Sequence, residues 1–331
     1  MTNPTKASRS FPASPAPLDQ RMRNSDRWVV FIFAIAGPLL GLGGQWHWAL
    51  DIFNHFRLQY PFILLIAIGL LLWNRCFKRA MIAAAALAGS VLAIAPYLVP
   101  APTAAADHAG AAVTLLYANV LTENLNSDAL IQLIHRKNPD MVLLVEIDSR
   151  WDTQLQKGLP DYSVHAPSTP DDNFKISVFS KLPLEVEPRY FGRAGLPSFR
   201  CVGRAGKTSF TLWLTHPPTP IGREGWRFRN DQLEALGAEI RKENGPTLLV
   251  GDFNTTPWTH AFRAALGGRL RDSALGRGIH PTWPTSVPSV FRIPIDHILH
   301  SPDVKILERT VLEPFGSDHL PLYARLLVAS Q

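Results

Sequence analysis

Three long runs without Asp, Glu, Lys or Arg open the chain, at 28–50, 58–74 and 80–106, or 23, 17 and 27 positions. A helix that crosses a bilayer needs about 20 apolar residues, with a range of about 17–25. The pattern therefore predicts three transmembrane helices within a membrane anchor over residues 28–100. Gly37, Pro38, Gly41, Gly43 and Gly44 predict a kink or an early end in the first run. The second run is short but dense in Leu and Ile, and the third is rich in Ala. Residues 1–27 are rich in Pro, Ser, Asn and Arg without a hydrophobic period, which reads as a disordered tail. Residues 101–112 read as a linker of small residues.

From residue 113 the pattern changes to short apolar runs alternating with amphipathic stretches. Strands are predicted at 113–118, 141–145, 176–179, 210–214, 247–250, 295–299 and 322–328. Helices are predicted at 128–136, 230–242 and 259–266. Strands with interspersed helices indicate an α/β sandwich over residues 113–331.

Charge sharpens the division. Residues 1–106 hold nine Lys and Arg against three Asp and Glu, whereas the remainder holds 24 of each. The net charge of +6 thus belongs to the N-terminal third, and the second unit gives a nucleic-acid reading no bulk support. Arg21, Arg23 and Arg27 precede the first run, and Arg75, Lys78 and Arg79 follow the second. The positive-inside rule places those ends in the cytoplasm and the second unit outside it, on a cell (inner) membrane. The absence of charge within the runs indicates an anchor rather than a transport path. Two cysteines exclude a disulfide scaffold and a thiolate zinc site.

Polar residues recur where predicted strands end: Asn119, Glu146, His216, Asp252 and Asn254. Asp296 opens a further strand, and Asp318 with His319 precedes the last one. Strand ends converge on one rim of a sheet. Carboxylates, carboxamides and imidazoles without thiolate suit a hard cation, Mg²⁺ or Mn²⁺. Such an ion beside imidazoles suits charge neutralisation at a phosphoryl centre. Glu146 is the leading metal ligand, with Asn119 and Asp318 beside it. Asp296 and His319 read as a carboxylate–imidazole pair. Asn254 and His216 can donate to phosphate oxygens. The base that activates water is either His319 or Asp252. His297 reads as structural, because alternation turns it away from Asp296. Arg223, Arg227 and Arg229 read as a solvated basic stretch. Trp258 and Trp283 fit either the pocket or its packing.

The ordered set ANVL, NPDMVLLVE, LTHPP, GDFNTTPW, PIDHIL and GSDHLPL resembles the endonuclease/exonuclease/phosphatase (deoxyribonuclease I-like) superfamily and spans nearly all of residues 113–331. The resemblance implies a four-layer fold of two packed mixed β-sheets flanked by helices. It also implies metal-dependent hydrolysis of a phosphodiester by in-line attack of water. The substrate classes it leaves open are a lipid head group, a small phosphodiester or nucleic acid, the last as an extracytoplasmic nuclease. A non-catalytic ligand-binding membrane protein is the reading of another class. The expected partners are the substrate and the bilayer, with no protein partner.

Overall fold

The computed structural model describes residues 22–100, 110–165 and 175–329. Most of the expected tail and linker, residues 1–21 and 101–109, lies outside the described residues. The N-terminal unit contains α1 (Asn24–Leu40), the single turn α2 (Trp48–Asp51), α3 (Tyr60–Trp73) and α4 (Phe77–Leu98), with a 3₁₀ segment at Ile52–Phe56. Helix α1 therefore begins inside the stretch expected to be a tail. Asn24–Gly43 and Phe77–Leu98 are each long and apolar enough to cross a membrane. A third crossing is reached only if Trp48–Phe56 and Tyr60–Trp73, bent by 80° at their junction, form one span. The three expected spans thus appear as two or three. The shortfall lies in α3, whose 14 residues rise about 21 Å at 1.5 Å per residue. Pro61 sits in its first turn, where a missing N–H is tolerated. Arg75 at φ 55° turns the chain into α4.

One face of each helix packs inward through Phe31, Ala34, Leu64, Leu71, Ala80 and Ala83. Phe33, Ile66 and Leu92 face outward, 82%, 66% and 72% exposed. The bundle has two distinct ends. At one, the Met22 N–H donates to Asn74 Oδ1 (3.0 Å) and Arg79 lies over the Trp28 ring. At the other, α4 meets the second unit. The Trp258 indole N–H donates to the Ala93 carbonyl (3.1 Å), Gly276 N–H to Pro96 (3.0 Å) and Gly278 N–H to Tyr97 (2.8 Å). Trp258 is thus a docking residue for the helical bundle.

The second unit runs β1 (Gly110–Asn119), α5 (Ser127–Lys137), β2 (Met141–Val145), α6 (Ser149–Gly158), β3 (Ser163–His165), β4 (Ile176–Ser180), β5 (Leu184–Phe191), β6 (Leu196–Ala205) and β7 (Thr208–Thr215). It continues with α7 (Gly222–Ile240), β8 (Thr247–Asp252), α8 (His260–Ala265), β9 (Arg271–Asp272), β10 (Asp296–His300), β11 (Val304–Val311) and β12 (Leu322–Ala329). Strand β1 begins within the expected linker, and α7 starts eight residues before the helix predicted at Asn230. Two six-stranded mixed sheets result, ordered β11-β12-β1-β2-β4-β3 and β5-β6-β7-β8-β10-β9. Each contains one parallel pair, β1 with β2 and β7 with β8, among antiparallel neighbours.

Alternation along β1 explains the layering. Val113, Leu115 and Tyr117 enter the core between the sheets and meet Cys201, Leu212, Leu248 and Val250 from the facing sheet. Leu116 and Ala118 point the other way, against Leu130, Leu133 and Ile134 of α5 and Trp151 of α6. The second sheet turns Trp213, Leu249 and Leu299 outward onto Leu233, Leu236 and Ile240 of α7. Both faces of the central strands are covered, which is why they read as unbroken apolar runs. The expected four layers, helix–sheet–sheet–helix, follow from this packing.

Candidate active site

Strand register gathers the polar residues. Parallel pairing sets Asn119 beside Val145, so Asn119 and Glu146 leave the first sheet at the same edge. Pairing of Thr215 with Gly251 does the same for His216 and Asp252 on the second sheet. Antiparallel pairing puts Asp296 opposite Asp252. Strand β12 pairs with β1 through Leu322 and Tyr117, which leaves Asp318 and His319 just beyond the same rim. Gly251 is required at this junction, because a Cβ there would stand 1.9 Å from the Thr215 carbonyl oxygen.

Two of these residues leave their strands in the left-handed region, Glu146 at φ 59° and Asn254 at φ 50°. Asn tolerates that region, whereas Glu146 is strained there by about 1–2 kcal/mol. The reversal brings their side chains back over the sheet edge, and the surrounding bonds hold them. Thr122 Oγ1 donates to the Glu146 carbonyl (2.8 Å), and the Asn254 N–H donates to Asp252 Oδ1 (2.8 Å).

Asn119 Nδ2 donates to Glu146 Oε1 (2.7 Å) and to Asp252 Oδ2 (3.2 Å). Its side-chain Oδ1 accepts the Leu121 N–H (3.1 Å). In this orientation Asn119 braces both carboxylates with its N–H groups. His216 Nε2 lies 3.5 Å from Glu146 Oε1 and 3.9 Å from Asp252 Oδ2. Asn254 Nδ2 is 3.5 Å from the same ring nitrogen and donates to the Pro217 carbonyl (3.1 Å). His319 Nδ1 donates to Asp296 Oδ2 (2.9 Å), and its Nε2 stands 3.6 Å from Asp252 Oδ2. Ser317 Oγ bridges this pair to the first sheet, donating to the Asn119 carbonyl (2.8 Å) and accepting the His319 N–H (3.0 Å). Asp318 is set apart: its Oδ2 accepts the Trp283 indole N–H (2.8 Å), and its Oδ1 is 4.0 Å from His319 Nε2.

Burial and crowding set the charge states. Burial, then the neighbouring Asp296, push the Asp252 carboxyl up to about 8, against His319 and the Asn254 N–H. Burial raises Glu146 as well, opposed by the Asn119 hydrogen bond. For Asp296 burial acts upward, yet the His319 cation and its hydrogen bond prevail and keep that carboxyl below its ordinary value. Burial works against a charge on His319, but Asp296 and Asp252 outweigh it and lift the imidazole to about 10. His216 goes the other way, to about 3, through burial and the cationic His319.

These groups form two sets whose ligand atoms lie within 4.8 Å of one another: Glu146, His216 and Asp252, and Asp252, Asp296 and His319. The first combines two carboxylate groups with a neutral imidazole. That donor chemistry fits a divalent cation, whose charge would offset the burial that raises Asp252 and Glu146. Sequence reasoning brought out the eight polar residues that the register assembles at this rim. It read Arg229 differently. Arg229 is fully buried, its Nη2 2.6 Å from Asp51 Oδ2 and its Nη1 2.9 Å from the Asn254 carbonyl, so it is no solvated cation. Trp283 lines the site and holds Asp318. The N-terminal unit supplies Ile52, His55 and Phe56 to the same cavity. Ile52 and Phe56 follow a helical turn with no motif to mark them. His297 does face away, held by the Thr255 carbonyl (2.8 Å) between the Phe253 and Phe262 rings.

The comparisons agree with this architecture. D. rerio TDP2 complexed with a single-strand DNA product is 18% identical, with a TM-score of 0.57 over 65% of this chain and 98% of that one. The human Nocturnin catalytic domain with bound sulfate is 18% identical, with a TM-score of 0.53 over 66% and 95%. A Bacteroides thetaiotaomicron mannosyl-6-phosphatase is 19% identical, with a TM-score of 0.55 over 65% and 99%. At such identities the likeness is one of fold. No curated protein matches the sequence. Residues 116–319, more than half of the 331, match the Endonuclease/Exonuclease/phosphatase family. With that match, and with its sheets and polar rim arranged as described, the chain belongs to the Endonuclease/Exonuclease/phosphatase family.

Proposed function

We propose that this protein is a membrane-anchored, Mg²⁺- or Mn²⁺-dependent phosphodiesterase acting on a lipid head group, a small phosphodiester or nucleic acid. The observation that carries the reading is the convergence of Glu146, His216, Asp252, Asp296 and His319 within two overlapping donor sets on one rim. Glu146, His216 and Asp252 are the residues that would hold the metal. When bound, the ion supplies charge neutralisation at the phosphoryl oxygens. Asn119 orients the two carboxylates. His319, cationic and fixed by Asp296, binds a phosphate oxygen or protonates the leaving oxygen. Asp252 and His319, 3.6 Å apart, are the groups between which the proton of the attacking water is handled. Asn254 and His216 sit side by side over the same space, and Asn254 donates to a non-bridging oxygen. Asp318 supports His319 through Trp283.

The anchoring half of the proposal draws on the apolar outer faces of α1, α3 and α4. Trp28 and Trp73 lie at the end that carries Arg23, Arg27 and Arg79, and Trp46 lies at the other end, the distribution of an interfacial aromatic belt. The basic end faces the cytoplasm and the catalytic unit lies on the far side.

The test uses the full chain in nanodiscs with bis(p-nitrophenyl) phosphate. Hydrolysis should require Mg²⁺ or Mn²⁺, stop in EDTA, and fall about 10²–10⁴-fold in His319→Ala. Metal-independent hydrolysis, or undiminished activity in His319→Ala, would overturn the assignment. Loss of all activity in a folded wild type would favour the ligand-binding reading.

A further inference from the structure

The cavity that contains the polar rim has a volume of about 430 Å³ and two unlike walls. Glu146, Asp252, Asn254 and His319 form one. The other is built from Ile52, Phe56, Leu121, Pro220, Ile293 and Ile295. No Lys or Arg lines it among the described residues. A site that follows a nucleic-acid backbone needs such cations to neutralise successive phosphates. The apolar wall is partly the work of the membrane unit, since Ile52 and Phe56 lie in the segment that joins α1 to α3. Both remain accessible, 43% and 41% exposed, although each is a large apolar side chain.

That segment is locked to the catalytic unit. Asp51 is paired with Arg229 and accepts the Trp226 indole N–H (3.1 Å). Thr256 Oγ1 donates to the Asn54 carbonyl (3.3 Å). Gln59, the residue before α3, donates through Nε2 to the carbonyls of Val290 (3.0 Å) and Arg292 (3.3 Å). This places the accessible side chains of Val290 and Phe291, 49% and 61% exposed, at the first turn of an apolar helix. Accessible apolar side chains therefore stand both in the cavity, at Ile52 and Phe56, and at the start of α3, at Val290 and Phe291.

We infer that the substrate is an amphiphile, a phosphodiester bearing a hydrocarbon chain, with its phosphate at the rim and its chain along the Ile52–Phe56 wall, drawn from the bilayer that holds the anchor. The anchor is then part of the substrate site as well as a tether. The inference rests on the phosphodiesterase reading above. Water adds to phosphorus, the ester P–O bond breaks, and the leaving oxygen takes up a proton, giving a monoester and an alcohol.

The test is a chain-length series of methyl, butyl and octyl p-nitrophenyl phosphates, with the full chain in nanodiscs and Mn²⁺. In each, the aryl P–O bond breaks and p-nitrophenol is read. Burying one methylene favours association about fourfold, and this wall is only half enclosed. The octyl ester should therefore exceed the methyl ester in kcat/KM by at least tenfold, mainly through KM. Ile52→Ser and Phe56→Ser should each bring the octyl-to-methyl ratio toward one. A flat wild-type series, or a ratio unchanged in both variants, would overturn the chain site while leaving phosphodiester hydrolysis intact. A flat series together with rapid nicking of supercoiled plasmid would replace it with a nucleic-acid substrate. No metal-dependent hydrolysis of any ester would overturn the phosphodiesterase reading, and the chain site with it.

Discussion

The ion pair between Asp51 and Arg229 should carry much of the coupling between the helical unit and the α/β unit. Arg229 is completely buried, and burial pulls its pKa down against the opposing effect of Asp51. Its Nη2 lies 2.6 Å from Asp51, while Nη1 and Nε donate to the Asn254 carbonyl and to Asn230 Oδ1, both at 2.9 Å. Asp51→Ala leaves a buried guanidinium without its counter-charge and removes the acceptor of the Trp226 indole. Breaking one side of a buried pair destabilises by about 3–5 kcal/mol. Each kcal/mol lowers the midpoint of a domain of this size by about 2–4 °C. Together these give a drop of roughly 6–20 °C. Thermal unfolding of the full chain in nanodiscs, followed by near-UV circular dichroism, measures it. Asp51→Leu combined with Arg229→Met replaces both charges by apolar groups and should recover most of the loss, because no unpaired ion remains. A drop under about 3 °C in Asp51→Ala, or a double variant whose loss is the sum of the single losses, would refute the reasoning.

Two further outcomes follow from the geometry. In EDTA the His319–Asp296 pair should make stability depend on pH in a defined direction. The folded imidazole is held at about 10 and the unfolded one at about 6.5. Its stabilisation is therefore complete below about pH 6.5 and is lost as the pH rises through about 10. The gap in unfolding midpoint between wild type and Asp296→Asn should narrow from pH 7 to pH 10.5, and a constant gap would contradict the pairing. His297→Ala should instead behave as a core substitution. Losing the ring between Phe253 and Phe262 and its bond to Thr255 should destabilise by about 2–4 kcal/mol. Well below its midpoint, this variant should retain far more esterase activity than His319→Ala, and equal losses would place His297 in the chemistry.

Much of the site could be read along the chain because it is written at strand ends. An apolar run such as VTLLYA must stop where its sheet stops, and a polar residue placed there, such as Asn119, faces the rim wherever the strand lies. The order of these residues follows the order of the strands, which is why GDFN and SDH carry information before any distance is measured. Alternation likewise assigns Asp296 and His297 to opposite faces. Weakly apolar elements were not legible in this way. Strand β5 alternates half-exposed and exposed positions, and α7 opens with a polar turn, so neither had a hydrophobic period to announce it.

The sequence by itself determined a division between apolar helices and an alternating α/β unit, the faces of most strands, and the residue types of the candidate metal site. Tertiary structure alone decided which groups interact. Asp51 and Arg229 are 178 positions apart, and only the docking of one unit on the other removes both from water and makes them a pair. The charge states of Asp252, His216 and His319 were decided there too. They come from mutual distance and burial, neither of which a linear pattern encodes. The apolar wall from Ile52 and Phe56 has the same origin: two ordinary hydrophobic residues line the cavity at the polar rim because the chain between two helices folds back onto the rim of the sheets.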